Sequence, residues 1–200
     1  MTGNGKLLIQ FLKNVETIVI PVYQRNYDWK IEHCRKLFQD LCSTIQKRRM
    51  HFFGGIVSVS DPMGGTFDFL IIDGQQRIST LLCLLKYLSI QYPDTPCMKL
   101  FQFNWLETQV NNGKEDNLLR ELCSLTDVNS FDENSPDIYI RNAGIIKSIF
   151  HQSITNDDGS IKELFSIDGF LEYLLNDIYF VVVETVAGLS KTIQIFNTIN

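Results

Sequence analysis

The sequence of 200 residues has little with which to build a metal or disulfide framework: three histidines and five cysteines. Cys34, Cys42, Cys83, Cys97 and Cys123 include no CxxC pair, and His33, His51 and His151 complete no ligand spacing with them. No metal site is expected; most of the thiols lie in apolar periodic contexts and read as small core residues in a reducing compartment. Long hydrophobic runs are also missing. None reaches the ~18 apolar residues that a spanning helix needs. The opening MTGNGKLLIQFLKNVETIVIP is interrupted by Gln10 and Lys13 and lacks a small-residue cleavage pattern. A soluble, cytoplasmic protein with no membrane partner is expected. Motif absences remove several enzyme classes: there is no GxxxxGK[ST], GxSxG, HExxH or GxGxxG. Positive charge is scarce too. The formal charge is −5 and the pI about 5.2, which argues against whole-surface attraction to nucleic acid and leaves a local basic site open. The one basic run, Lys47-Arg48-Arg49, reads as a solvated helix end complementing the dipole, with a phosphate-backbone contact as the sharper alternative.

What is present is enough apolar chain for a sizeable core: 44% apolar and 12% aromatic residues, with only 20% charged. Residues 5–13 read as a short amphipathic helix and 17–20 as a β-branched strand stopped by Pro21. Cys34, Leu37, Phe38, Leu41, Cys42 and Ile45 form a helical stripe over 31–48, with Asp28 as its cap. Strands at 52–60 and 66–72 flank the breaker-rich Asp61-Pro62-Met63-Gly64-Gly65, which predicts a hairpin. A helix over 77–92 carries Ile78, Leu81, Leu82, Leu85 and Leu88 and ends at Pro93 and Pro96. A strand over 99–104 follows, then helices over 117–125, 138–154 and 160–176, a doubly buried strand over 178–183 and a last helix over 189–199. Loops are expected at 111–117 and 127–136, and Asp157-Asp158-Gly159 as the turn opening the 160–176 helix. The fold class is α/β (α+β). Residues 1–97 plus 178–200 are expected to form one body and 98–177 a helical insert packed on it.

Asp73-Gly74-Gln75-Gln76-Arg77 is the polar joint between a strand and a helix. The first N–H groups of a helix lack intrahelical acceptors and sit at the positive end of its dipole, so they take phosphate readily. Gly74 permits close backbone approach. Arg77 is a bidentate phosphate donor. Gln75 and Gln76 can orient a water, and Asp73 can hold magnesium or a water. A structural reading competes: Asp73 as N-cap with Gln76 three residues on is a capping-box pattern. A second stretch, IPVYQRNYDW (20–29), has the same layout of strand end, Gln24-Arg25 and helix. Tyr23, Tyr27 and Trp29 either stack on a base or roof the core, the better bet for isolated aromatics. Two Gln-Arg loops at strand ends are hard to explain as caps alone, because buried arginines need partners.

Together IPVYQRNYDW, FFGGIVSV (52–59), IIDGQQRISTLLCLL (71–85) and IFNTIN (195–200) resemble the N-terminal domain of the GmrSD family of modification-dependent restriction enzymes. The match runs in family order from about residue 5, around a variable helical middle. The resemblance implies a ParB/sulfiredoxin-like mixed sheet with flanking helices. It implies a nucleoside triphosphate (GTP, ATP or CTP) with Mg²⁺ as ligand, bound and possibly hydrolysed to regulate cleavage of modified foreign DNA. On this chain it assigns Asp73, Gln75, Gln76 and Arg77 to catalysis. Tyr23, Gln24, Arg25, Gly74, Ser79, Thr80, Asn197 and Asn200 go to nucleotide binding. Ile78-Ser79-Thr80 departs conservatively from the family's Leu-Thr-Thr. The third motif usually continues past Asn200, and a C-terminal nuclease domain is expected to be absent, so no nuclease activity is expected of this chain.

Three functions stay open. A nucleotide-dependent regulatory domain in DNA restriction would need Arg25 and Arg77 as phosphate clamps. A DNA-binding module without catalysis would bind in a salt-dependent way. A fold whose loops bind nothing would keep its stability in Arg77→Ala and show no ligand response. The partners implied are nucleotide and DNA, with self-association into a homo-oligomer left open.

Overall fold

Ile18, Val19 and Ile20 are all at most 2% exposed. Three consecutive buried β-branched residues suit a strand covered on both faces and paired on both edges. The computed structural model of the chain places them so; it describes residues 2–13, 17–47, 49–59, 69–95, 102–156, 162 and 166–185. Among the described residues six strands, β1 (Thr2–Leu7), β2 (Ile18–Ile20), β3 (His51–Val59), β4 (Phe69–Asp73), β5 (Leu106–Thr108) and β6 (Ile178–Thr185), form one sheet of order β1-β6-β3-β4-β2-β5. β1 runs antiparallel to β6 and β3 antiparallel to β4, whereas β3–β6, β2–β4 and β2–β5 are parallel. The mixed α/β class is as expected from the sequence.

The helices are α1 (Leu8–Lys13), α2 (Ile31–Gln46), α3 (Gln75–Gln91), α4 (Lys114–Ser124), α5 (Ile138–Ile154) and α6 (Ile167–Asn176). The α2 stripe is as read: Cys34, Phe38 and Leu41 are buried, with Leu37, Cys42 and Ile45 packed against the core. Its cap is not Asp28. The Lys30 N–H donates instead to His33 Nδ1 at 3.1 Å. α5 spans the expected residues, capped by Asp137, whose carboxylate accepts from the Tyr139 and Ile140 N–H groups. α4 starts at Lys114, inside the stretch read as loop. Of the helix expected at 5–13, residues 8–13 form α1 but 5–7 are strand, because Thr2 through Leu7 register against Glu184 through Tyr179, a partner no local pattern reveals. Of the strand expected at 99–104, residues 99–101 fall outside the described residues and 102–104 is not strand; the strand that follows is at 106–108. The tip of the hairpin loop, the Asp-Asp-Gly turn at 157–159 and the helix at 189–199 fall outside the described residues.

Phe38, Phe150, Phe170 and Tyr87 bring α2, α5, α6 and α3 together. Ring centroids are 5.3 Å apart for Phe38–Phe150, 5.4 Å for Phe150–Phe170 and 5.6 Å for Tyr87–Phe150. α3 lies at the centre: it meets β3, α4 and α5 and buries every residue from Ile78 to Leu88. The hydrophobic core is continuous from sheet residues such as Ile18, Ile56 and Ile178 to Leu119, Leu122 and Ile146 of the 98–177 segment. That segment also supplies β5 to the sheet. Among the described residues no helix is long and apolar enough to cross a membrane.

Candidate functional site

Asp73 closes β4 and Gly74 starts the turn into α3 with φ +96°. Only glycine takes that conformation without strain. A Cβ at Gly74 would also fall 3.0 Å from the Gly55 carbonyl oxygen. The helix's first bond runs from the Ile78 N–H to the Gly74 carbonyl, so the N–H groups of Gln75, Gln76 and Arg77 have no acceptor within the helix. Asp73 does not cap it: the N-cap is Gly74, with no side-chain cap bond. The capping-box reading is therefore corrected.

The side chains of Gln75 and Gln76 bond to the backbone of the other loop. Gln76 Nε2 donates to the Asn26 carbonyl at 2.9 Å while its Oε1 accepts from the Asp28 N–H at 3.0 Å. Gln75 Nε2 donates to the Arg25 carbonyl at 2.9 Å. Both side chains are more than nine-tenths buried and tie the two Gln-Arg loops into one structure. Tyr27, the buried centre of the second loop, sends its hydroxyl to within 2.8 Å of Thr80 Oγ1.

The two loops frame a cleft of about 200 Å³ lined by Gln24, Arg25, Trp29, Asp73, Gly74, Gln75, Gln76 and Arg77. Seven of these eight were assigned to the site from the sequence, and the eighth, Trp29, was read as either stacking on a base or roofing the core. Arg77 enters it across Gly54, whose φ of +142° belongs to the β3 bulge; a Cβ there would fall 2.8 Å from Arg77 Cδ and 2.9 Å from Nε. Arg77 makes no ion pair with a described residue. Arg25 is not buried, as had been expected of such an arginine; its side chain is 66% exposed and lies 3.6 Å from Asp28. Asp73 is the exposed carboxylate at the rim.

Other expected residues are elsewhere. Ser79 and Thr80 are 1% and 0% exposed, and the Thr80 hydroxyl bonds the Gln76 carbonyl at 2.9 Å. One turn into a helix buried all round, they face the core and do not reach the cleft. Tyr23 is 46% exposed and does not line it. Asn197 and Asn200 lie outside the described residues. Trp29, read from the sequence as stacking on a base or roofing the core, lines the cleft and stacks on His33, with centroids 5.6 Å apart. Lys47 and Arg49 are exposed at the end of α2, the solvated helix end that was read. No cluster of His, Cys, Asp or Glu among the described residues is arranged to hold a metal ion alone. Cys34 and Cys83 are buried free thiols, and burial pushes the Cys34 thiol up to about 12, which makes it inert packing.

Fold and cleft together define a mixed α/β domain with a polar cleft where two strands end. The chain matches the family model described as the N-terminal domain of the GmrSD restriction endonuclease over residues 8–200. It belongs to that family, which supports a role in restriction. No curated protein matches it.

Proposed function

We propose that this chain is a nucleoside-triphosphate-binding regulatory domain of a DNA-restriction protein. The observation that carries the reading is that Arg25, Arg77 and the first-turn residues of α3, whose N–H groups have no acceptor within the helix, line one cleft. Its volume of about 200 Å³ suits a phosphate chain rather than a whole nucleotide, with the nucleoside projecting past Trp29. Helix amides and guanidinium forks are the donors that phosphate oxygens prefer. The donor set fits magnesium delivered with the phosphates: Mg²⁺ takes one or two carboxylates plus phosphate oxygens and water, and Asp73 is the carboxylate at the rim. For hydrolysis the water-orienting group is Gln75, whose side-chain carbonyl oxygen is left for that task while its Nε2 holds the Arg25 carbonyl. Gln76 is committed to the loop at both ends of its amide.

Calorimetry with GTP, ATP and CTP, each with Mg²⁺, tests this. Saturable binding is expected for at least one, weakened tenfold or more in Arg77→Ala, about 1.4 kcal/mol. No heat from any of the three sinks the reading for this chain.

A second reading, DNA binding without catalysis, draws on a neighbouring cleft of about 500 Å³ where Lys30, Lys114 and Arg141 face Asp28 and Glu115. Three phosphate contacts would give a log–log salt slope of about −3. A nucleotide-independent gel shift with that slope, lost in Lys114→Ala/Arg141→Ala, would favour it.

A further inference from the structure

The loop that carries Arg25 and Trp29 into the cleft is held by side chains distant in sequence. Gln75 takes the Arg25 carbonyl, and Gln76 takes the Asn26 carbonyl and the Asp28 N–H. The remaining ties come from the helical segment. Glu115 Oε1, in the first turn of α4, accepts the Tyr27 N–H at 2.9 Å from 88 positions away. The same oxygen accepts the Tyr139 hydroxyl of α5 at 3.0 Å. Asn142 Nδ2 donates to the Trp29 carbonyl at 2.9 Å. Thus each of the five residues from Arg25 to Trp29 has a backbone group fixed by a side chain. Glu115 is 5% exposed, and the Tyr27–Tyr139 ring pair, 4.9 Å between centroids, packs beside it.

We propose that Glu115 is a positioning residue for the phosphate-binding loop: by accepting Tyr27 N–H and Tyr139 O–H on one oxygen, it sets where Arg25 and Trp29 stand in the cleft. The inference rests on the nucleotide reading above. Its physical content is geometric. Without the acceptor the buried Tyr27 N–H is unpaired, and an unpaired buried donor drives the backbone to find water. The loop then leaves the arrangement that Gln75 and Gln76 hold from the other side.

The test measures triphosphate affinity and amide hydrogen exchange over residues 25–29 in wild type, Glu115→Ala, Glu115→Gln and Glu115→Asp. Glu115→Ala is expected to weaken affinity about tenfold and to speed exchange at Tyr27 and Asp28. Glu115→Gln keeps an acceptor oxygen at the same reach and is expected to restore both. Should Glu115→Ala not fold, Glu115→Asp, one methylene shorter, carries the test and is expected to lose affinity likewise. Leu174→Ala on α6, remote from the loop, controls for general destabilisation and should leave affinity unchanged. Wild-type affinity and exchange in Glu115→Ala, or in Glu115→Asp where that carries the test, overturn the proposal. So does failure of Glu115→Gln to restore them. If wild type itself binds no triphosphate, the nucleotide reading falls alone, and the exchange data still decide whether Glu115 sets the loop.

Discussion

Gly54 shows how one residue without a side chain makes room for another's function. Its backbone sits at φ +142°, and the volume a Cβ would occupy is taken by Arg77. Gly54→Ala therefore meets both backbone strain and a clash, and is expected to cost roughly 1–3 kcal/mol. Urea denaturation would read that cost, and a parallel loss of triphosphate affinity would show that the displaced group is Arg77. Glu115 gives a pH signature. Burial pushes its carboxyl above the usual value, and Asp28 adds to the shift, outweighing the bonds from Tyr27 and Tyr139 that favour the ionised form. The folded chain therefore holds this proton to higher pH than the unfolded chain does. Between the two values the folded state binds more protons, so this group's contribution to stability falls as pH rises through that window and is flat above it. Glu115→Gln removes the titration. Its stability relative to wild type is expected to increase with pH from about 4.5 upward and then level off. A constant difference across pH would contradict this. At this scale the cleft was legible because its residues lie in two short segments, each polar, each following a strand. Ser79 and Thr80 were misplaced because a motif carries no phase: the helix turns them inward. Glu115, Tyr139 and Asn142 were invisible, since an acidic residue in a first helical turn looks the same whether it is solvated or reaches across the fold.

Among the elements, α3 decides most. Its sequence stripe of Ile78, Leu81, Leu82, Leu85 and Leu88 suggested one buried face, yet Cys83, Leu84, Lys86 and Tyr87 are buried as well. A helix is closed over on all sides when the sheet lies on one flank and α4 and α5 on the others. Leu85→Ala, at 0% exposure, is then expected to cost about 2–5 kcal/mol, read from the urea midpoint with an unchanged m-value. Periodicity found α2, α3 and α5 because each buries a helical stripe. It missed β1 because that strand exists through its pairing with β6, and it misplaced β5 because a three-residue strand has no period to detect.

Over the whole molecule, the segment 98–177, read from the sequence as a helical insert packed on the body, is joined to that body in two ways. It gives β5 to the sheet, pairs it with β2, and shares one continuous core with the strands through α3. Elements that share a core and a sheet lose their burial together, so unfolding is expected as one cooperative transition. The two tryptophans sit well for the measurement. Trp29 is half-buried beside the cleft, while Trp105, just before β5, is 5% exposed, its indole N–H without a hydrogen-bond partner among the described residues. Replacing Trp105 by Phe sacrifices no hydrogen bond and leaves Trp29 as reporter; Trp29→Phe leaves Trp105. Urea transitions followed by the two single-tryptophan proteins and by far-ultraviolet circular dichroism should coincide once each is corrected for its own midpoint. Mg²⁺ with a bound triphosphate at a hundred times Kd should shift all of them together by about 2.7 kcal/mol, because the loop it grips is tied to the sheet body through Gln75 and Gln76 and to the helical segment through Glu115 and Asn142. Two separated transitions, or a shift confined to the Trp29 probe, would mean that the segment folds on its own and that the ties across the loop do not couple it to the sheet.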